Sequence, residues 1–221
     1  MRLPLPQFAG RQRSPRHIAE VIETATTEFL AQCLEPEDLR FPVMPAFGSW
    51  VKAADEETGA WVYGIVYHAT TSPIDSVHRA RALGLSLETL RDEQPQIFAM
   101  LKTEFQAAIV GFETASTNGS AANPGKIYQY LPPRPPQVHQ AVYECTATEV
   151  LHFTEELEFM RTLLQLNSTP VDSLIAATLR ETYRLRKADR PWLVHASRML
   201  STYLKEAYDR LRQILSQVQL V

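Results

Sequence analysis

The sequence lacks the motif by which many nucleotide-driven enzymes are recognised. None of its 221 residues form the phosphate loop Gly-x-x-x-x-Gly-Lys-[Ser/Thr], and no glycine occurs between residues 146 and 221. Backbone N–H groups cradle phosphates only where glycines let the chain turn tightly around them. The sequence therefore predicts neither ATPase activity nor nucleotide binding.

Cysteine and histidine are also sparse. The two cysteines, Cys33 and Cys145, form no Cys-x-x-Cys motif, and no two of the six histidines are spaced i, i+4. Two cysteines in apolar surroundings are typical of reduced core residues rather than of a disulfide scaffold. We therefore expect no metal site, no cofactor and no catalytic centre.

Long apolar runs are absent as well. No run approaches the 18 residues that a membrane-spanning helix needs, and residues 1–8 carry one charge and two prolines. The net charge of −3 argues against a chain that coats nucleic acid over its whole surface, although it permits a local basic patch. These features predict a cytoplasmic protein.

Short apolar runs separated by turn residues dominate the first two thirds of the chain. They lie at residues 41–44, 50–51, 61–67 and 107–110. Such runs need partners for their backbone groups, so they predict strands of a small antiparallel barrel. Residues 18–33 could form one helix face, but Thr26 and Thr27 favour a hairpin because of their branched Cβ atoms.

Residues 72–101 interrupt this pattern with a predicted helical insertion. Ser86 can cap a helix over residues 87–93, and Pro95 can start a second turn. A loop at 115–125, a strand at 126–131 and an extended Pro-rich connector at 132–136 follow. A last strand at 138–145 is predicted to close the barrel.

From residue 146 the apolar spacing changes to three and four residues, which predicts helices at about 154–166, 170–188 and 191–218. The predicted fold class is α+β: a basic arm at 1–16, a barrel at 17–150, and a three-helix segment at 151–221. Because a barrel closes its own hydrogen-bond ladder, we expect it to fold without the helices.

The order of these elements resembles the HAS-barrel family. The resemblance covers about residues 15–150 and is carried by Pro45-x-x-Gly-x-Trp-Val51, Val62-x-Gly-x-Val66, residues 106–111 and Pro132-Pro-Arg-Pro-Pro136. HAS-barrels form the N-terminal domains of HerA-type DNA-translocating ATPases and of F-type ATP synthase subunits. This sequence is most similar to stand-alone HAS-barrel proteins of the cyanobacterial type, which lack the ATPase domain.

The resemblance implies a non-enzymatic adaptor or assembly module. Its barrel would dock on a HerA-type ATPase or a NurA-type nuclease in DNA processing and repair, and the helical stripe could serve self-association. Aromatic residues and arginines anchor many interfaces. The candidate interface residues are Tyr63, Tyr67, Tyr128, Arg184 and Arg186.

The alternative is a nucleic-acid-binding module, in which arginines contact phosphates. The candidate phosphate contacts are Arg11, Arg13, Arg16, Arg180, Arg184, Arg186, Lys187 and Arg190. A solvated helix end is the favoured interpretation of the 180–190 cluster, since cations favour the carbonyl end of a helix. Glu155, Glu156 and Glu158 are likewise interpreted as complements to the start of the helix predicted at 154–166.

Overall fold

A computed structural model describes residues 14–35, 44–74, 82–115, 125–167 and 169–218. The strands are β1 His17–Thr24, β2 Glu28–Cys33, β3 Trp50–Asp55, β4 Ala60–Pro73, β5 Leu101–Glu113, β6 Ile127–Tyr128 and β7 Ala141–Glu144. The helices are α1 Leu87–Glu93, α2 Gln96–Ala99, α3 Ala147–Phe153, α4 Phe159–Leu164, α5 Val171–Leu185, α6 Arg190–Leu204 and α7 Tyr208–Val218.

Six of the strands close into a barrel. The order β2-β1-β7-β3-β4-β5 is completed by pairing of β2 with β5, and every pair is antiparallel. The two-residue β6 continues the edge of β5 beyond the end of β2. The predicted α+β class, with a barrel followed by helices, is confirmed.

The hairpin predicted at residues 18–33 is present as β1 and β2. Its strands alternate buried and half-buried positions, as expected for a sheet with one face in a core. The helical insertion is also present, and the Ser86 side chain caps α1 by accepting a hydrogen bond from the Thr89 amide at 3.1 Å. Because β4 and β5 extend to Pro73 and Leu101, the excursion between them is residues 74–100.

Two apolar cores share the barrel wall. Small and branched side chains such as Val51, Val62 and Ala107 fill the barrel interior. The alternate positions on the same strands, including Trp50 and Tyr63, face outward and are buried beneath the helices that follow β7. The barrel wall is therefore apolar on both faces, and the helices cover part of its outer face.

Five helices, rather than the predicted three, follow the barrel. The helix predicted at about 154–166 is wrong: a capping box between Thr146 and Glu149 starts α3 at Ala147, and α4 begins only at Phe159. The helix predicted at 191–218 is interrupted after Leu204, where Lys205 takes a φ of 45°. The start of α5 after Pro170 and the start of α6 near Pro191 agree with the sequence.

Two predicted strands are shorter than expected. The 126–131 strand is reduced to Ile127–Tyr128, and the closing strand spans Ala141–Glu144. Most of the strand predicted at 41–44 lies outside the described residues, as do residues 1–13 of the predicted basic arm. With α3 beginning at Ala147, the helical segment starts before the predicted boundary at 151.

Candidate interaction surfaces

Two of the three predicted interface tyrosines are buried. Tyr63 is 1% exposed, lies beneath Phe153 with ring centroids 4.7 Å apart, and donates its hydroxyl to Glu113 at 2.9 Å. Tyr67 is 6% exposed and donates its hydroxyl to Glu28. Their assignment as exposed barrel-rim anchors is therefore wrong for the folded chain, because the outer face on which they lie is packed against other parts of the protein.

Tyr128 lies at the surface in an aromatic ladder. It stacks on Phe112 with a centroid distance of 5.1 Å and meets Tyr130 edge-on at 5.4 Å, while the Lys126 ammonium lies 5.0 Å from its ring centre. Tyr130, which was not singled out from the sequence, is 58% exposed. Its position two residues after Tyr128 on an alternating strand was the signal that could have identified it.

Arg186 is a structural residue rather than a free surface cation. Its guanidinium donates to the Leu151 carbonyl at 2.7 Å and to the Thr154 hydroxyl at 2.9 Å, and it lies 4.9 Å from the Trp192 ring. Burial lowers the pKa of Arg186, although nearby Asp189 and Glu155 oppose the effect. Its Nη2 group thereby joins α5 to the end of α3, and its ring contact joins α5 to α6, while its role as a phosphate contact or interface anchor stays a prediction.

Of the other predicted cations, Arg180 and Arg184 line one cavity of about 450 Å³ together with Glu144 and Glu181. Arg184 forms two hydrogen bonds to Glu181 at 2.6 and 3.0 Å, and Arg180 donates to the Gln217 carbonyl at 3.2 Å. Arg16, Lys187 and Arg190 are exposed. Arg11 and Arg13 lie outside the described residues.

Two neighbouring cavities lie between the barrel and α3–α4. One, of about 740 Å³, lies between residues 125–130 and the helices, and the other, of about 530 Å³, lies over Trp61 and Tyr63. They share His152 and Glu155. We call the two cavities together the acidic cleft, since carboxylates outnumber cations along it.

Gln129 holds the two walls of the acidic cleft together. Its amide nitrogen donates to the carbonyls of Phe153 and Glu156 at 2.6 and 2.9 Å, and its amide oxygen accepts from the Phe159 backbone at 2.9 Å. One side chain thereby satisfies backbone groups on both sides of the break between α3 and α4. The shape of the cleft is fixed by these bonds.

Charged groups in the smaller cavity are largely paired. The Lys52 ammonium lies 2.7 Å from the Glu149 carboxylate and 4.0 Å from the centre of the Trp61 ring. Burial, together with the Glu113 carboxylate, raises the pKa of Tyr63, so its hydroxyl stays protonated and donates to Glu113. A tyrosine held in this way is a hydrogen-bond donor and not a base.

The excursion at residues 74–100 carries a second surface of a different kind. Five of the twelve large apolar side chains that are exposed in the described part of the chain lie on it: Ile74, Leu83, Leu85, Leu87 and Met100. Helix α1 has no buried residue. Exposed apolar side chains that form a patch are typical of a protein contact.

The described ranges contain no group of three or more His, Cys, Asp or Glu residues arranged to hold a metal ion. They also contain no helix that is both long and apolar enough to span a bilayer. Burial raises the pKa of both cysteine thiols, with that of Cys33 reaching about 11. Thiols in this state are poor nucleophiles at neutral pH.

Comparison with known proteins matches the barrel to one family. Residues 18–114 match the family model described as HAS barrel domain. No curated protein matches the chain. The matched region runs from β1 to the end of β5 and includes the excursion, and these strands close with β7 into the six-stranded barrel. The N-terminal barrel of this chain is therefore a HAS-barrel domain.

Proposed function

We propose that the chain is a non-enzymatic adaptor that binds a partner protein through the apolar surface of the excursion at residues 74–100. The observation that carries this proposal is the exposure of Ile74, Leu83, Leu85, Leu87 and Met100, each between 42% and 54%. A HAS-barrel is a fold that often serves assembly, and the excursion joins β4 to β5 of this one. Burial of these side chains by a partner would remove apolar surface from water.

The energetics favour a partner with several copies. Fully burying a Leu, Ile or Met side chain contributes about 1.5–3 kcal/mol, and these five are already about half buried, so the gross gain is about 4–7 kcal/mol. Association costs about 4–15 kcal/mol of lost freedom. One such contact is therefore weak, and repeated contacts to a ring would strengthen it by raising the effective concentration.

This estimate suits a ring-forming partner. The resemblance to HerA-type proteins supports a HerA-type ATPase, or the NurA-type nuclease that acts with it, as the partner in DNA processing. The excursion would supply the apolar contact and the helical segment a second one. We propose this partner class on the resemblance together with the weak single-site energy.

No observation favours the nucleic-acid alternative over the adaptor. Arg186 donates within the protein, and Arg184 is paired with Glu181. Binding to phosphates would require Arg184 to exchange an existing ion pair for a new one. The alternative is kept as an outcome of the experiment below.

The test is calorimetric titration of the chain into a purified HerA-type ATPase and, separately, into a NurA-type nuclease. The variant Leu85→Ser with Leu87→Ser should bind at least tenfold more weakly than wild type, because each truncation of a contact residue costs about 1 kcal/mol or more. The matched control is Val194→Ser with Tyr208→Ser, which changes two side chains that are 49% and 70% exposed on the helices. The control should bind as wild type does.

Loss of binding in the control but not in the excursion variant would contradict the surface assignment. Absence of binding to both partners would contradict the partner class. A salt-dependent affinity for duplex DNA that Arg184→Gln and Arg190→Gln abolish would replace the adaptor proposal with the nucleic-acid alternative.

A further inference from the structure

The acidic cleft has an open aromatic side and an excess of carboxylates. Its lining includes five carboxylates, Glu113, Glu149, Glu155, Glu156 and Glu158, and three basic side chains, Lys52, Lys126 and Arg161. Lys52 is committed to Glu149, and Arg161 lies 3.8 Å from Glu158. Negative charge therefore remains at Glu155 and Glu156.

These two glutamates are exposed to the cleft. The Glu155 carboxylate lies 3.7 Å from the His152 ring and interacts electrostatically with Arg186, but no arginine or lysine of the described residues forms an ion pair with it, and its side chain is 69% exposed. In the described part of the chain no cation forms an ion pair with Glu156. Tyr128 and Tyr130 line the opposite wall of the larger cavity. Carboxylates facing tyrosine rings match the chemistry of arginine, which pairs with the former and stacks on the latter.

One segment of this chain has the complementary composition. Residues 1–13 contain Arg2, Arg11 and Arg13, no acidic residue, and the apolar side chains Leu3, Leu5 and Phe8. Three positive charges exceed the net charge of −2 that the cleft lining carries with His152 neutral. The apolar residues would suit the aromatic wall.

The described chain starts close to the cleft. The Arg16 carbonyl accepts from the Glu144 amide at 3.0 Å, and the His17 ring lies 5.2 Å from the ring of Tyr143. Tyr143 in turn meets Trp61 at 5.6 Å, and Trp61 lines the smaller cavity. Thirteen residues in an extended conformation span about 40 Å, which is ample to reach both cavities.

We propose that residues 1–13 dock into the acidic cleft of their own chain, with their arginines on Glu155 and Glu156 and against the tyrosine wall. A phosphate-bearing ligand is disfavoured there because the cleft is negatively charged. Docking occupies the same arginines that the nucleic-acid alternative requires to be free. This inference goes beyond the proposed adaptor function and does not depend on it, since the excursion surface is separate.

Trypsin cleavage of the full chain after Arg11 and Arg13 tests the docking. The cleft variant Glu155→Gln with Glu156→Gln should be cut at these two bonds at least fivefold faster than wild type, because an undocked segment is accessible. The matched control is Glu56→Gln with Glu206→Gln, which changes the charge equally at two exposed glutamates outside the cleft. The control should be cut within twofold of the wild-type rate, as followed by intact-protein mass spectrometry.

A second measurement uses a fluorescent peptide of residues 1–15 and the full chain carrying Arg2→Gln, Arg11→Gln and Arg13→Gln. With its own segment weakened, this variant should bind the peptide at least tenfold more tightly than wild type, with an affinity that falls as salt rises.

Equal cleavage in wild type, cleft variant and control would overturn the proposal, as would equal peptide binding by wild type and the arginine variant. A wild-type chain that sediments as a dimer and an arginine variant that sediments as a monomer would place the segment on a second copy, and would overturn docking within one chain. Neither experiment touches the excursion, so the calorimetric test of the adaptor function stands whatever their results.

Discussion

Phe153→Ala should be among the most destabilising single changes in the chain. Phe153 is fully buried, and its ring lies 4.7 Å from Tyr63, 5.3 Å from Trp50 and 6.2 Å from Phe159. Truncating a buried Phe to Ala costs about 3–5 kcal/mol, and aromatic pairs contribute about 0.5–1.5 kcal/mol beyond buried area. A Cβ placed on Gly111 would lie 2.8 Å from the Phe153 ring, so the ring packs directly on the barrel backbone.

We therefore expect a loss of about 4 kcal/mol, a large share of the 5–15 kcal/mol that is typical of a domain. The assay is equilibrium urea unfolding followed by both tryptophan fluorescence and far-ultraviolet circular dichroism. The matched control is Phe47→Ala, whose side chain is 42% exposed and should cost about 0.5 kcal/mol or less. A loss below about 1 kcal/mol for Phe153→Ala, or separate midpoints for the two signals, would refute the idea of one core shared by helices and barrel.

Three further predictions concern other contacts between the barrel and the helices. A fragment ending at Thr146 should aggregate or unfold without cooperativity in thermal circular dichroism, because it bares the outward aromatic face of the barrel; a soluble, cooperative fragment would restore the expectation that the barrel folds alone. Burial raises the pKa of Glu149, but hydrogen bonds from Lys52 and the Thr146 amide outweigh it, so the pKa is lowered overall. A group whose pKa is lowered by folding stabilises the folded state at pH values above its unfolded-state pKa, and this stabilisation is lost as the pH falls through its folded-state pKa. Glu149→Gln should therefore lower the free energy of unfolding by about 1 kcal/mol at pH 7 and by almost nothing near pH 3, as measured by urea titration. Gly48→Ala should cost at least about 2 kcal/mol of unfolding free energy in the same assay, because Gly48 has a φ of +83° and an added Cβ would lie 2.8 Å from that of Ala177; wild-type stability would rule out this close packing.

Much of the barrel could be predicted because its strands carry local signals. Turn residues separate the apolar runs, and Ser86 marks the start of α1 through an ordinary cap. The residues of the β4 run from 61 to 67 are apolar at every position, however, and their pattern cannot distinguish solvent from a covering helix on the outer face. The sequence alone therefore does not show that Tyr63 and Tyr67 are covered.

The helix boundaries in the C-terminal segment have weaker signals in the sequence. The Thr146-x-x-Glu149 capping box is a local signal in the sequence for the start of α3. The break after Leu204 has no glycine or proline to announce it, and apolar spacing continues from α6 into α7. Arg186 belongs to a basic run, and only the tertiary structure shows that its donors reach carbonyl and hydroxyl groups of residues 151 and 154.

The candidate surfaces could likewise be predicted only in part from the sequence. The apolar residues of the excursion are visible in the sequence, but their exposure depends on an α1 that buries none of its residues. The acidic cleft could not be predicted, because Tyr128 and Glu155 are distant in sequence and Gln129 brings their elements together through three hydrogen bonds.

Hydrogen–deuterium exchange on the chain, free and in a complex isolated at native abundance, tests the adaptor proposal most directly. The proposal predicts that the partner slows exchange most strongly in residues 82–101, where four of the five exposed apolar side chains of the excursion lie. Protection confined to residues 180–190, with the excursion exchanging as fast as in the free chain, would contradict it.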